Sequence, residues 1–419
     1  MPSVEGVGAR KAALQMLDAV LRRGHTLDGA ASSAARGLSG PDRALALAIA
    51  GETLRRLPDL DRLIDSATRQ RLPEDSKARM VLRLALAQKV GLGTPEHALV
   101  ATALPLVDGG PRRLVHGVLG TLLRRGVPAS DAPKLPQPVE ERWRIAWGDQ
   151  SVDAARRQIA RRPPLDLTFR DSDAARSYAA THGGVSLAPR HVRLGSASVT
   201  DLPDFGDGHW WVQDLAASLP ARFIPENSKD VLDLCAAPGG KTMQLAGAGH
   251  RVTAVDSSKS RLGRLSENLD RTHLDVELIE ADALTWEIDR QFDAILLDAP
   301  CSATGTYRRH PEVLYRARPD IIALNAELQA KLLERAVRWL SPNGLLVYSV
   351  CSLEPQEGEQ VISAFLRTNP ELQIDSPKQG ELPHFVDASS EGWVRILPGL
   401  LEDQGGLDGF FIVRLVRRG

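Results

Sequence analysis

Apolar side chains recur at three- and four-residue steps along the first 130 residues, which is the spacing of one face of an α-helix. The runs at 12–21, 44–50 and 80–87 show this period most clearly. Four prolines then fall between residues 128 and 138, a density that is typical of a stiff, exposed connector. The pattern predicts a helical bundle over residues 1–130 and a proline-rich linker over residues 131–138.

The pattern weakens between residues 139 and 225. A helical period around residues 152–160 is followed by strand candidates at Leu165–Phe169 and His191–Leu194. The stretch 210–219, which begins with two tryptophans, is predicted to open a helix. These signals indicate a small α+β domain that connects the bundle with the rest of the chain.

From residue 226 to residue 419, strand and helix candidates alternate, which is the pattern of a parallel sheet with helices on both faces. Four apolar runs, at 231–234, 251–255, 275–279 and 292–297, lead into a glycine turn, Asp256, Asp282 and Asp298 respectively. Open parallel sheets bind their ligands at the carboxyl ends of such strands. The predicted fold class is multidomain: an all-α amino-terminal bundle, a small α+β domain and a carboxyl-terminal α/β domain with a mostly parallel sheet.

The segment Asp233-Leu-Cys-Ala-Ala-Pro-Gly-Gly-Lys-Thr242 joins a strand to a helix through two glycines. Gly239 and Gly240 allow a tight turn and the close approach of a ligand to the backbone. Asp256 follows Asp233 by 23 residues and is placed to hydrogen-bond ribose hydroxyls. A glycine turn and a strand-end aspartate also have purely structural uses. Their order and spacing together favour a nucleoside cofactor, and an adenosyl group in particular.

The chain has three cysteines, and two of them are candidates for covalent chemistry. A cysteine is more often a small buried residue than a reactive one, and that interpretation suits Cys235 inside the glycine turn. Cys351 follows the strand candidate 344–350, and Cys301 lies three residues after Asp298. Both therefore belong to loops at the carboxyl ends of strands, a position that favours a functional thiol.

A thiol and an adenosyl methyl donor together suit the methylation of cytosine. Carbon 5 of cytosine is not nucleophilic, but a thiolate that adds to carbon 6 makes it so. Cys351 is the candidate nucleophile, and Asp298 can protonate or hydrogen-bond N3 of the ring. The proton on carbon 5 must then leave before the thiol departs, a step that Cys301 can assist.

Charge is distributed unevenly along the chain. The formal net charge is −1, yet residues 1–130 hold 19 Lys and Arg against 12 Asp and Glu, while the remainder holds 33 against 41. The basic part suggests a polyanionic partner, although a solvated helical surface gives the same count. Its arginines occur in pairs, at 22–23, 55–56, 112–113 and 124–125. Guanidinium groups of this kind suit phosphate oxygens.

Other sequence features bear on the compartment. The start, Met1-Pro-Ser-Val-Glu-Gly, has no basic region leading into an apolar core, and no apolar run approaches the roughly 18 residues of a membrane span. Three cysteines without a leader do not indicate a disulfide framework. We expect a cytoplasmic protein without a metal site.

Three segments resemble the RNA cytosine-C5 methyltransferase family: the glycine turn 233–242, Asp298-Ala-Pro-Cys-Ser-Ala-Thr-Gly-Thr and Ser349-Val-Cys-Ser-Leu-Glu-Pro-Gln-Glu. The resemblance is closest to the RsmB branch and covers nearly the whole chain. It implies a NusB-like RNA-binding domain over 1–130, a connecting and RNA-binding domain over 139–225, and a catalytic domain over 226–419. It also implies S-adenosyl-L-methionine as the methyl donor and 16S rRNA, naked or in an early assembly intermediate, as the substrate. We expect a monomer that binds neither DNA nor membranes.

The resemblance also assigns roles to residues. It implies that Cys351 is the nucleophile and that Cys301 assists product release. The segment Arg308-Arg-His-Pro311 resembles the family's segment near the RNA, while Val350 and Glu312 stand where threonine and aspartate are usual. The implied cofactor site consists of Cys235, Ala236, Ala237, Pro238, Gly239, Gly240, Lys241, Asp256, Asp282 and Asp298.

Three alternative functions remain open at this point. A DNA cytosine methylase would use the same covalent chemistry, with its nucleophile at a Pro-Cys site such as Pro300-Cys301. A non-catalytic RNA-binding or antitermination-like module would depend on the amino-terminal bundle alone. A tRNA-directed enzyme would differ only in its substrate, which the catalytic core does not distinguish.

Overall fold

The computed structural model describes residues 6–195, 199 and 202–417 of the chain. Residues 1–5, on which the expectation about a leader rests, lie outside the described part. The chain forms two compact units. The first consists of Met1–Arg161 and Tyr307–Ala317, and the second consists of Arg162–Thr306 and Arg318–Gly419. The boundaries at residues 130, 138 and 225, which separate the predicted bundle, linker, connecting domain and catalytic domain, stay a prediction.

The first unit is all-α, as predicted. Its helices are α1 (Val7–Arg23), α2 (Leu27–Ala34), α3 (Gly40–Ser66), α4 (Lys77–Leu92), α5 (Glu96–Ala103), α6 (Gly109–Arg125), α7 (Gln137–Ile159) and the short α12 (Val313–Arg316). The three apolar runs of the sequence lie in α1, α3 and α4, where Leu17, Ile49 and Leu84 are fully buried in one cluster. Burial of these faces, rather than intrinsic helix propensity, accounts for most of the stability of such a bundle.

Helix α7 begins inside the predicted proline-rich connector. The helix begins at Gln137, inside the proline-rich stretch, and Pro138 occupies its first turn. Backbone N–H groups of a first turn have no intrahelical partner, so a proline there does not prevent a helix. The helical period around 152–160 is the second half of α7, which is interrupted at Gly148 (φ 78°).

The second unit begins with a small antiparallel sheet. Its strands are β1 (Leu165–Phe169), β2 (His191–Leu194) and β3 (Trp210–Val212), in the order β2-β1-β3, with helix α8 (Ser172–His182) beside them. The prediction of a helix from residue 210 is wrong for its first residues. Trp210 and Trp211 are buried in β3, which suits the high β-propensity of tryptophan. Helix α9 (Leu215–Arg222) starts only after Asp214, whose side chain accepts a hydrogen bond from Ala216 N–H.

The large sheet is mostly parallel and has helices on both faces, as predicted. Its strands are β4 (Asp230–Leu234), β5 (Arg251–Asp256), β6 (Glu277–Glu280), β7 (Phe292–Asp298), β8 (Leu340–Val350), β9 (Leu372–Ile374), β10 (Val394–Ile396) and β11 (Phe410–Arg417). The order is β10-β11-β8-β7-β4-β5-β6, with β9 paired to β11. Strands β4 to β8 are parallel, and β9, β10 and β11 pair antiparallel.

The covering helices are α10 (Gly240–Gly247), α11 (Lys259–Thr272), α13 (Pro319–Arg338) and α14 (Glu359–Thr368). Alternate residues of one strand pack into different cores. Ile295 and Leu297 of β7 pack with Leu333 of α13, whereas Leu296 packs with Leu219 of α9. No helix in the described ranges has the length and apolarity to cross a membrane.

The order of the large sheet determines where a ligand can bind. Strand β4 comes first in the chain, β5 and β6 lie on one side of it, and β7 and β8 lie on the other. Such a reversal of strand order leaves a crevice at the carboxyl ends of the strands. Leu234 of β4 is in register with Leu297 of β7, and Asp298 is in register with Ser349 of β8. The loops that follow these strands therefore meet at one edge of the sheet.

Candidate active site

Two thiols lie side by side at this edge. Cys301 follows β7 and Cys351 follows β8, and their Sγ atoms are 3.6 Å apart. Both residues are partly buried. The structure thus brings together the two cysteines that the sequence places in loops at the carboxyl ends of strands.

The three thiols differ in their surroundings. The hydrogen bond with Cys351 and burial raise the pKa of Cys301 well above its ordinary value. Burial also raises the pKa of Cys235 to about 12. Because the thiolate is the nucleophilic form of cysteine, Cys235 is unsuited to covalent chemistry. This agrees with its interpretation as a turn residue, and its φ of 59° places its backbone in the left-handed region.

The two cysteine loops are joined through their backbones. Gly305 N–H donates to Cys351 O at 3.0 Å, and Gly409 N–H donates to Gly305 O at 2.9 Å. A Cβ added at Gly305 would lie 2.0 Å from Gly409 O. Only glycine therefore permits this approach, which holds the Cys301 loop against the Cys351 loop.

Asp298 lies between the glycine turn and the Cys351 strand. Its carboxylate accepts hydrogen bonds from Lys241 Nζ at 2.7 Å and from Ser349 Oγ at 2.8 Å. The Lys241 ammonium also lies 5.3 Å from the centre of the Phe410 ring. These contacts fix the carboxylate close to the nucleophile candidate, since Ser349 precedes Cys351 by two residues.

Within the glycine turn 233–242, residues 235–239 connect β4 to α10. Gly239 has φ 103°, and a Cβ there would lie 2.0 Å from Leu265 Cδ1, so only glycine fits. The Asp256 carboxylate accepts hydrogen bonds from Ala237 N–H at 3.2 Å and from Ser258 N–H at 2.9 Å. Asp256 thus shapes the turn as well as standing at the carboxyl end of β5.

Asp282 has a different environment from the other two aspartates. It is exposed, it follows β6 by two residues, and its carboxylate accepts a hydrogen bond from Leu284 N–H at 2.9 Å. Among the described residues, no group of three or more His, Cys, Asp and Glu side chains is arranged to hold a metal ion.

Sequence reasoning missed Asp233 as a site residue. Its side chain is fully buried beneath the glycine turn, and burial raises its pKa to about 7. Thr242 Oγ1 donates to its Oδ2 at 2.6 Å, while Oδ1 has no hydrogen-bond partner among the described residues. A buried oxygen without a partner is the kind of group that a bound ligand can satisfy. The available signal was a carboxylate inside the otherwise apolar strand 231–234.

Comparisons with known proteins identify the family of the chain. Residues 221–416 match the family model of the 16S rRNA methyltransferase RsmB/F, and residues 8–124 match the NusB family. Ribosomal RNA small subunit methyltransferase B of Xanthomonas campestris pv. campestris is 36% identical over 437 residues, which cover 98% of each chain. The chain belongs to the RsmB/F methyltransferase family. The protein of the same name from Klebsiella pneumoniae strain 342 is 32% identical and covers 98% of this chain and 99% of its own.

Solved structures share the fold. The crystal structure of PH0851 has a TM-score of 0.74 with 23% identity and covers 99% of both chains. The methyltransferase homologue from Pyrococcus horikoshii has a TM-score of 0.56 with 27% identity and covers 71% of this chain and 98% of its own. The RsmB/F member described here is an S-adenosyl-L-methionine-dependent RNA methyltransferase. The tight glycine turn and the unpartnered Oδ1 of Asp233 fit the binding of an adenosyl donor.

The segment Tyr307–Ala317 follows the Cys301 loop in sequence but belongs to the first unit. Tyr307 Oη donates to Gln158 Oε1 at 2.7 Å, and Tyr315 Oη donates to Leu54 O at 2.7 Å. These contacts anchor both ends of the segment on the helices of that unit.

Arg308 is the first residue of the segment that resembles the family's RNA-proximal segment, yet it is only 1% exposed. Its carbonyl oxygen accepts a hydrogen bond from Arg55 Nη2 at 2.6 Å. The arginine pair at 55–56 is itself buried, whereas the pairs at 22–23, 112–113 and 124–125 are exposed. Of the four predicted pairs, only the three exposed ones can meet a phosphate backbone.

Proposed function

We propose that this enzyme methylates carbon 5 of a cytosine in 16S rRNA, as a monomer acting in the cytoplasm. The observation that carries the proposal is the pair of thiols, 3.6 Å apart, at the carboxyl ends of β7 and β8. Methylation of an amine or a hydroxyl oxygen needs no protein nucleophile, because those atoms already carry a lone pair. Activation of carbon 5 does need one.

Cys351 is the nucleophile in this proposal. Its sulfur forms a bond to carbon 6 of the cytosine, and the electrons displaced toward the ring make carbon 5 nucleophilic. The assignment is supported by the end of β8, where Tyr348, Ser349 and Val350 are fully buried and hold the strand from which Cys351 emerges. A nucleophile on a rigid element is positioned more precisely than one on a mobile loop.

Cys301 acts after methyl transfer. Two sulfurs 3.6 Å apart resist joint ionisation, because like charges at this distance repel. Once the Cys351 sulfur is bound to carbon 6 it carries no charge, and the repulsion that opposes ionisation of Cys301 disappears. Cys301 then gives its own proton to solvent and, as a thiolate, accepts the proton from carbon 5. The electrons of that C–H bond re-form the double bond between carbons 5 and 6, and Cys351 leaves as a thiolate.

Asp298 acts at N3 of the ring. Because N3 accepts a hydrogen bond, the carboxyl group of Asp298 donates its proton there, and the Lys241 ammonium and the Ser349 hydroxyl stabilise the carboxylate that is left. Such a bond stabilises the charge that develops on the ring when sulfur adds.

S-adenosyl-L-methionine supplies the methyl group when it is bound. Residues 235–241 offer the backbone of the glycine turn to it, and Asp256 and Asp282 stand at the ends of neighbouring strands in this proposal. Asp298 is the last residue of the proposed cofactor site, and its hydrogen bond from Lys241 links it to the glycine turn.

The ribosomal RNA would meet the exposed arginines of the first unit. Those at 112–113 and 124–125 lie in the first and last turns of α6. Guanidinium groups on such a face neutralise phosphates without reading sequence.

Methylation of purified RNA with a labelled methyl donor tests the proposal. Bisulfite sequencing of small-subunit rRNA and of total tRNA after reaction should show one protected cytosine, in the rRNA. A mark in tRNA would move the substrate assignment to tRNA. A label on any position other than carbon 5 would refute the reaction, and full activity of Cys351→Ser would refute the role of its sulfur.

A further inference from the structure

Glu357 lies at the centre of a buried hydrogen-bond network. The residue is fully buried, and burial raises the pKa of its carboxyl, opposed by hydrogen bonds from Ser302 and Ser352. Oε1 accepts from Ser302 N–H at 2.8 Å and from Asn325 Nδ2 at 2.9 Å. Oε2 accepts from Ser302 Oγ at 2.5 Å and from the Ser352 hydroxyl. A network in which every acceptor is used rigidifies its surroundings.

The donors come from the two cysteine loops. Ser302 directly follows Cys301, and Ser352 directly follows Cys351. The single carboxylate of Glu357 therefore joins the residue after one thiol to the residue after the other, while Asn325 ties it to α13.

Glu357 is itself held in place. Tyr348 Oη donates to Glu357 O at 2.6 Å, so the end of β8 fixes the backbone that carries the carboxylate. Arg395 Nη1 donates to Ser352 O at 2.5 Å, and its guanidinium pairs with Glu359 at 2.6 Å. Neither the Cys301 loop nor the Cys351 loop can move alone without breaking one of the hydrogen bonds of this network.

We propose that Glu357 is a positioning residue that sets the separation of the Cys301 and Cys351 sulfurs, and through it the rate at which the covalent RNA adduct is released. The inference rests on the proposed roles of the two thiols. It assigns Glu357 no contact with RNA or with the methyl donor. Its effect is on the second half of the reaction, in which Cys301 must reach the proton on carbon 5 while Cys351 is still bound to carbon 6.

The hydrogen-bond donors around Glu357 allow the effect of its position to be separated from the effect of its charge. Both fixed N–H donors converge on Oε1, whereas both donors to Oε2 are hydroxyls, which can rotate and accept instead. A glutamine can place its oxygen at the Oε1 position and its amide N–H₂ at the Oε2 position. Glu357→Gln thus keeps the link without the charge, and Glu357→Ala removes the link.

Single-turnover kinetics on substrate RNA test the proposal, with the fraction of enzyme bound covalently to RNA followed over time. We expect Glu357→Ala to release the adduct at least ten-fold more slowly than wild type, and we expect the same of Cys301→Ala, while adduct formation by Glu357→Ala slows less than three-fold. Glu357→Gln should restore release to within three-fold of wild type. Ser352→Ala, a smaller change that detaches only the Cys351 loop, should give an intermediate release rate if Glu357→Ala does not fold.

Asp230→Asn provides a matched control for reduced stability. Asp230 is paired with Arg290 at 2.8 Å at the amino end of β4, away from the thiols. Its substitution should lower the melting temperature without accumulation of adduct. Release at the wild-type rate by a folded Glu357→Ala protein would overturn the proposal, and so would equal impairment in Glu357→Gln.

The separation of the sulfurs is also measurable without RNA. Diamide oxidises two adjacent thiols to a disulfide, taking up one electron and one proton from each, and mass spectrometry gives the rate for the pair 301/351. We expect Glu357→Ala to slow this rate at least five-fold and Glu357→Gln to leave it within two-fold of wild type. Equal rates in all three proteins would refute the positioning role. If Cys301→Ala releases RNA normally, the catalytic proposal for Cys301 fails, and the diamide rates alone decide the positioning role.

Discussion

Substitution of Gly305 by alanine should separate the two cysteine loops. The added Cβ would lie 2.0 Å from Gly409 O, whereas carbon and oxygen atoms in close contact are about 3.3 Å apart or more. The loops must therefore part by roughly 1 Å. The hydrogen bonds of Gly305 to Cys351 and to Gly409 are then weakened or broken. At about 1 kcal/mol net for each bond, the free energy of unfolding should fall by about 2 kcal/mol.

The effect of Gly305→Ala on activity should be much larger than its effect on stability. Misplacement of reacting groups by about 1 Å can cost roughly 100-fold in rate, so we expect a reduction of kcat of that order with little change in KM. Methyl transfer to RNA and thermal unfolding measure the two effects. Gly263→Ala is the matched control, because Gly263 lies inside α11 with open space around the added Cβ. Wild-type kcat in a Gly305→Ala protein would refute the claim that the backbone contact holds the thiols together.

Three further changes test other parts of the account. Burial raises the pKa of Asp233 in the folded state to about 7, so the stability that its protonated form contributes is present below the unfolded pKa and is lost as pH rises through 7. Between pH 4 and pH 8, the free energy of unfolding of wild type should therefore fall by up to about 4 kcal/mol more than that of Asp233→Asn, as measured by denaturant titration. Burial raises the pKa of Asp166, but hydrogen bonds from Arg193 and His191 outweigh burial and hold this pKa well below its ordinary value. Arg193→Leu should therefore lower the free energy of unfolding by about 3–5 kcal/mol at pH 7. This loss should shrink as pH falls below 4, because the Asp166 carboxylate that has lost its partner then becomes protonated. The pair Arg112→Ala and Arg113→Ala should weaken RNA binding and reduce the slope of log affinity against log salt by about 0.7 for each phosphate that the protein no longer neutralises. Arg367→Ala, exposed on α14, should leave that slope unchanged.

The sequence predicts the large sheet and its ligand edge because those features are local. Apolar runs that end in a carboxylate or a glycine turn mark β4, β5 and β7 directly, and the cysteines follow β7 and β8 at once. The pairing of strands then brings residues 301 and 351 together, since parallel strands share one carboxyl edge.

Features that depend on contacts between distant segments were not predictable. Glu357 ends the segment 349–357 that resembles the family, but the segment does not reveal its role, which depends on Ser302, 55 residues away in the chain. The assignment of Tyr307–Ala317 to the first unit likewise rests on contacts with residues more than 140 positions earlier, such as Gln158. The strand at Trp210 was mistaken for a helix because its pairing with Phe169 of β1 is not local.

Covalent trapping on RNA that contains 5-fluorocytosine tests the central claim most directly. Fluorine at carbon 5 cannot leave as a proton does, so the bond between sulfur and carbon 6 persists after methyl transfer. Proteolysis and mass spectrometry then identify the modified cysteine. We predict that the nucleoside is attached to Cys351 and that Cys351→Ser forms no adduct. Attachment to Cys301, or active enzyme that forms no adduct, would contradict it.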